Sequence, residues 1–163
     1  MPDDEMLRHL AGQLGEMLVR AHQRVATAES CTGGFAGKVM TDIPGSSQWF
    51  DRGFITYTNQ SKTELLGVPA ELIAEHGAVS EATARSMATG VLRHSQAQIS
   101  LAVTGIAGPG GGRLDTPVGT VWFAWASRNG QVETESHWFP GDRDAVRRQA
   151  VAHALRGVMD RIG

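Results

Sequence analysis

Val25 to Ala28 is a short apolar run, and Gly33-Gly34 follows almost at once, leading into a helix-compatible segment from Phe35 to Met40. The pattern predicts a strand that turns sharply into a helix, the repeating joint of layered α/β domains. Glu29-Ser30-Cys31-Thr32 fills the joint. Its hydroxyls and thiol therefore lie beside backbone N–H groups that no helical carbonyl can satisfy. Acyl-transfer catalysis needs that layout, and so does phosphate binding.

The rest of the chain continues the alternation. Leu7, Leu10, Leu14, Met17, Leu18 and Ala21 recur at helical spacing, so an amphipathic helix precedes the first strand, Arg24 to Ala28. After Asp42-Ile43-Pro44-Gly45-Ser46-Ser47, the aromatic and β-branched stretch Trp49 to Thr58 reads as a strand. Asn59 to Leu66 predicts a helix, with Ser61 and Glu64 spaced as a capping box. Pro69 to Glu75 predicts a short helix closed by His76-Gly77, and Ser80 caps another reaching His94. Ile99 to Val103 is a buried strand that runs into the glycine-rich loop Gly105 to Gly112. Val118 to Ala126 and Val132 to Phe139 predict two strands joined at Arg128-Asn129-Gly130, a strong hairpin signal. Asp142 caps a last helix reaching about Ile162, with Val151, Leu155, Val158 and Ile162 on one face. Alternation first and a hairpin last predict a three-layer α/β fold with a mixed sheet.

Composition narrows the function classes. A chain of 163 residues that is 41% hydrophobic and 20% charged is large enough for one domain with a full core. A net charge of −2 argues against a nucleic-acid scaffold. One cysteine, Cys31, permits no intramolecular disulfide and no cysteine-rich zinc site. The acidic start, Pro2-Asp3-Asp4-Glu5, is unlike a signal peptide, and no apolar run approaches the roughly 20 residues of a membrane span. A reducing cytoplasm is the simplest home. The aromatics Trp49, Phe50, Trp138 and Phe139 suit either a homo-oligomer interface or the core.

Several residues carry candidate chemistry, each beside a plainer reading. Ser30 is a nucleophile if a base reaches it and otherwise a helix cap. No G-x-S-x-G elbow or S-x-x-K motif is present. The six histidines are scattered without metal-ligand spacing: His76 suits a helix end, and His9, His22, His94, His137 and His153 suit surface or packing roles. Lys62 is the alternative base. It falls in the first turn of a predicted helix, where the dipole and burial both favour the neutral amine; the plainer reading is a solvated lysine. Cys31 is a rival nucleophile or a small core residue. Adjacent residues at a strand end point different ways, so Ser30 and Cys31 do not share the task. The Gly105–Gly112 loop fits neither G-x-G-x-x-G nor the phosphate-loop motif, which leaves close backbone approach to a ligand or simple flexibility. Arg143 and Arg147, four apart beside a helix N-terminus, suit a phosphate or carboxylate, or a solvated face.

Six ordered motifs together resemble one family: TAESCTGG at Thr27–Gly34, GFITYTN at Gly53–Asn59 with Lys62, GAVS at Gly77–Ser80, TGIAGP at Thr104–Pro109, PVGTV at Pro117–Val121 and GDR at Gly141–Arg143. The chain resembles the CinA C-terminal domain family in its stand-alone, PncC-type form, the nicotinamide-nucleotide amidohydrolases. The resemblance spans nearly the whole chain, 1–163, as a single domain, with no room for the molybdopterin-binding-like domain of longer members. It implies a three-layer αβα sandwich with a mixed, mostly parallel β-sheet. It implies deamidation of nicotinamide mononucleotide to nicotinic acid mononucleotide and ammonia, in pyridine-nucleotide recycling. The implied catalytic pair is Ser30 and Lys62, with Tyr57 beside the pyridinium or relaying a proton. Substrate contacts are implied for Tyr57, for Asn59 within the same motif, for the loop Thr104, Gly105, Ile106, Ala107 and Gly108, and for Arg143, with Arg147 added from the helix-face argument. Backbone N–H groups at Thr32, Gly33 and Gly34, or in the Gly105 loop, are expected to hold the oxyanion. No metal or cofactor is implied, and the expected partner is a small pyridine nucleotide, not a nucleic acid or a membrane. A non-catalytic nucleotide-binding module and a Cys31-dependent hydrolase stand as the alternatives.

Overall fold

The computed structural model describes residues 1–162. Its elements follow the predicted order: α1 (Asp4–Arg20), β1 (Val25–Glu29), α2 (Phe35–Thr41), β2 (Phe50–Ile55), α3 (Asn59–Leu66), α4 (Ala70–His76), α5 (Glu81–Arg93), β3 (Ile99–Gly105), β4 (Thr120–Ser127), β5 (Val132–Trp138) and α6 (Arg143–Arg161). The strands form one sheet in the order β2-β1-β3-β4-β5. β1 pairs in parallel with β2 and β3, and β4 runs antiparallel to β3 and β5. Four strands thus point one way and β4 opposes them, while parallel and antiparallel pairings number two each. The sheet is mixed, as predicted.

Strand periodicity divides the core into two layers. Val25, Ile99, Leu101, Val103, Val121, Phe123 and Trp125 face α1, α2 and α6. Ala26, Ala28, Ala102, Ala124 and Ala126 face the other side, against Leu66, Ile73, Met87 and Val91 of α3–α5. The alanine face lets α5 lie close to the sheet, and Ser100 Oγ donates to Ala88 O at 2.8 Å. No helix among the described residues is long and apolar enough to cross a membrane.

Three local readings change. β2 ends at Ile55 instead of continuing to Thr58, because the backbone turns after Thr56 N donates to Glu29 O at 2.8 Å. The capping box of α3 is formed by Thr58 and Ser61, each side chain accepting from the other's backbone N–H at 3.1 Å. Glu64 accepts from Gln60 instead. The aromatic set splits: Trp49 is buried against Gly15, Phe50 and Phe139 are half-buried, and only Trp138 is largely exposed.

The α6 layer depends on a glycine. Trp125 Nε1 donates to Ala154 O at 3.1 Å, the Arg161 guanidinium lies 4.0 Å over the indole, and Gly157 passes directly against the ring. A Cβ at position 157 would overlap the indole. Alanine is the better helix former by about 1 kcal/mol, but overpacking costs about 1–3 kcal/mol or more. Gly157→Ala is therefore expected to lower stability in urea unfolding; an unchanged or raised midpoint would contradict this packing.

Candidate active site

The order of the strands creates a crevice. From β1 the chain crosses by α2 to β2 on one side, then returns through α3–α5 to β3 on the other. Connections thus diverge between the carboxyl ends of β1 and β3, the position where open α/β sheets bind ligands. Ser30 extends β1 into this crevice, its N–H donating to Val103 O at 3.0 Å. Gly33 and Gly34 then turn the backbone at φ +58° and +101°, a region costly for other residues, and α2 begins at Phe35.

Lys62 meets Ser30 across the crevice. It projects from α3 and is 1% exposed. Its Nζ lies 3.0 Å from Ser30 Oγ, 2.9 Å from Thr56 O and 3.4 Å from Tyr57 O. No carboxylate is paired with it among the described residues, and burial pulls its pKa below the ordinary lysine value of 10.5. A neutral amine has two N–H donors and one lone pair. With the donors on the two carbonyls, the lone pair faces the Ser30 hydroxyl. That is the geometry of a general base on a serine nucleophile.

The cleft around this pair holds about 260 Å³. Its walls include Tyr57, Asn59, Ala78 and Val79 on one side and Thr104, Gly105, Ile106, Ala107 and Gly108 on the other, with Arg143 at the mouth. Thr104 is buried and donates to Ala78 O at 2.9 Å, which ties the two walls together. Arg143 donates to Gly108 O at 2.7 Å and to the exposed Tyr57 Oη at 2.8 Å. The Tyr57 hydroxyl is thus engaged with Arg143, on the substrate side of the cleft, while its carbonyl serves Lys62.

Arg147 has a different place from Arg143. Its Nε donates to Cys31 O at 3.1 Å and its Nη2 to Thr32 O at 3.0 Å, so it grips the turn that carries Ser30. Thr32, Gly33 and Gly34 form that turn and do not line the cleft walls. Gly33 N donates to Ser30 O at 3.0 Å, and the N–H groups of Thr32 and Gly34 find no backbone acceptor among the described residues. Glu29 went unmarked in the sequence. It is 2% exposed, and its carboxylate accepts from Thr32 Oγ1 at 2.7 Å, Ala36 N at 2.8 Å and Gly37 N at 3.0 Å. A buried anion at the start of α2 satisfies N–H groups that the helix leaves open. An acidic residue closing an otherwise apolar strand was the available signal. Cys31 packs into the core of the α1, α2 and α6 layer, and burial, reinforced by the nearby Glu29, pushes its thiol up to about 12. A thiol so protonated is a poor nucleophile at neutral pH.

Comparison with known proteins agrees with this architecture. The CinA C-terminal domain model matches residues 7–162. Nicotinamide-nucleotide amidohydrolase PncC of Escherichia coli (strain K12) is 51% identical over 156 residues, which is 96% of this chain and 94% of that protein. The protein of the same name from Pseudomonas putida is 49% identical over 150 residues, 92% of this chain and 93% of its own length. The crystal structure of competence/damage inducible protein CihA from Agrobacterium tumefaciens superposes with a TM-score of 0.93 at 42% identity, covering 98% of this chain and 96% of that one. Arrangement, sequence and superposition agree: the chain belongs to the CinA C-terminal domain family.

Proposed function

We propose that the protein hydrolyses the carboxamide of nicotinamide mononucleotide, releasing nicotinic acid mononucleotide and ammonia, through an acyl-enzyme on Ser30. The contact of the buried Lys62 amine with Ser30 Oγ carries this reading. Its substrate rests on the names of relatives that the chain matches over 94% and 93% of their length. Recycling of pyridine nucleotides is the corresponding cellular role.

In this mechanism the Lys62 lone pair accepts the Ser30 proton as Oγ bonds to the carboxamide carbon. The carbonyl π electrons move onto oxygen, and backbone N–H groups of the turn after Ser30 or of the Gly105 loop, which lines the cleft, receive that charge. Each such donor contributes about 3 kcal/mol. The tetrahedral intermediate then collapses, the C–N bond breaks, and Lys62 returns the proton to the departing nitrogen. Water enters, gives a proton to Lys62 and attacks the ester carbon. Collapse frees the acid and returns the proton to Ser30. The substrate's pyridinium lies close to Lys62 and adds to the preference for a neutral amine. Arg143, at the mouth, holds the phosphate. Arg147 acts through the turn it grips and not on the phosphate.

The burial of Cys31 disfavours a thiol mechanism. Ser30→Ala should reduce ammonia release from nicotinamide mononucleotide by about 10⁴-fold or more, whereas Cys31→Ser should retain most of it. Full activity in Ser30→Ala would overturn the assignment, and release by neither variant nor parent would point to a nucleotide-binding module.

The base also predicts a pH dependence. Turnover should rise with pH as Lys62 loses its proton, with a midpoint below 10.5. Stability carries the same sign. The folded-state pKa is depressed, so between that value and 10.5 the unfolded chain binds more protons, and folding strengthens as pH rises through the window. Denaturant melts of the parent and Lys62→Met across that window should show this slope in the parent alone.

The two arginines should separate kinetically. Arg143→Ala is expected to raise KM by about tenfold or more through the lost phosphate contact. Arg147→Lys should lower kcat by up to about 10²-fold with little change in KM, because a displaced turn misaligns Ser30. A rise in KM alone for Arg147→Lys would return it to the substrate.

A further inference from the structure

Away from the cleft, β5 and α6 bring together three potential metal ligands. Glu135 and His137 are two apart on β5, so they share the face turned toward α6, where His153 lies. His137 Nε2 is 3.0 Å from Glu135 Oε1 and His153 Nε2 is 3.2 Å from the same oxygen. One ligand atom from each residue falls within 4.8 Å of the others. The two imidazoles stand 4.0 Å apart by their centroids, with Phe123 4.6 Å from His153 and Phe139 6.0 Å from His137. Arg161 Nη2 binds the other carboxylate oxygen, Oε2, at 3.0 Å, which fixes Glu135 with Oε1 toward both rings.

We propose that Glu135, His137 and His153 form a binding site for a divalent transition-metal ion, Zn²⁺ in the first instance. Two imidazole nitrogens and one carboxylate oxygen form a donor set suited to that ion, with the fourth position left to water. Tetrahedral zinc at about 2.0–2.1 Å from each ligand sets the donors about 3.3 Å apart. The two nitrogen–oxygen separations, 3.0 and 3.2 Å, lie close to this, and all three donors already fall within 4.8 Å of one another. Without metal, both imidazoles donate an N–H to Oε1. With metal, each ring moves its proton to Nδ1 and offers Nε2 as a lone pair, and Arg161 remains as an outer partner orienting the carboxylate. None of the three residues lines the Ser30–Lys62 cleft. The ion would therefore fasten the edge strand β5 to α6 and leave the chemistry of the cleft to Ser30 and Lys62. The sequence hid this site because its third ligand comes from a different element, 16 positions beyond His137.

The test is calorimetric titration of the full chain with ZnCl₂ after EDTA treatment and desalting. The expected result is uptake of one Zn²⁺ per chain with a rise in the thermal unfolding midpoint. His137→Ala and Glu135→Gln, both at partly or fully exposed positions, should bind at least tenfold more weakly while melting as cooperatively as the metal-free parent. No uptake by the parent, or uptake equally tight in both variants, would overturn the proposal.

Discussion

Burying the Lys62 amine without an anionic partner is the constraint from which the rest of the cleft follows. Water would stabilise an ammonium strongly, and the cleft replaces that water with two carbonyls and a hydroxyl. Neutral hydrogen-bonding partners satisfy an amine but compensate a full charge poorly. A lysine so placed is biased toward its neutral form, and the sheet holds its partners in place. Thr56 and Tyr57 stand where β2 leaves the sheet, and Ser30 stands where β1 does. The parallel pairing of β1 with β2 fixes both ends together, reinforced by Thr56 N donating to Glu29 O. Sheet register therefore brings Ser30 and the carbonyls that hold Lys62 to one end of the sheet.

The turn between β1 and α2 is held from two directions. From inside, Glu29 anchors the first helical N–H groups and the Thr32 hydroxyl. From outside, Arg147 of α6 binds the carbonyls of Cys31 and Thr32. One partner occupies donors and the other occupies acceptors, so the turn is fixed on both sides.

Much of this was legible in the sequence, and the limits have physical causes. Apolar periodicity located every strand and long helix, since burial on one or both faces dictates it. The Asn129-Gly130 turn was legible because Gly130 adopts φ +95° there. The capping box was read at Ser61–Glu64 and stands at Thr58–Ser61, because residues of several cap-type kinds run together and only backbone geometry selects among them. Arg147 was grouped with Arg143 by helix spacing. A one-turn offset places Arg143 over the cleft mouth and Arg147 over the turn, a distinction set by how α6 crosses the sheet. The Glu135–His137–His153 group depends on contacts between separate elements, which local pattern does not encode.

The choice of Ser30 over Cys31 follows from the same geometry. A cysteine is intrinsically the better nucleophile, and both residues sit at the positive end of a helix, which favours an anion. Both residues line the cleft, but only Ser30 hydrogen-bonds Lys62. Ser30 reaches Lys62, whereas Cys31 enters the apolar layer beneath α1, α2 and α6. There burial removes the water a thiolate requires, and the neighbouring Glu29 carboxylate repels the negative charge. The carboxylate that organises the turn carrying Ser30 is thus one of the groups that keeps the thiol beside it protonated, so a single buried side chain shapes the surroundings of both.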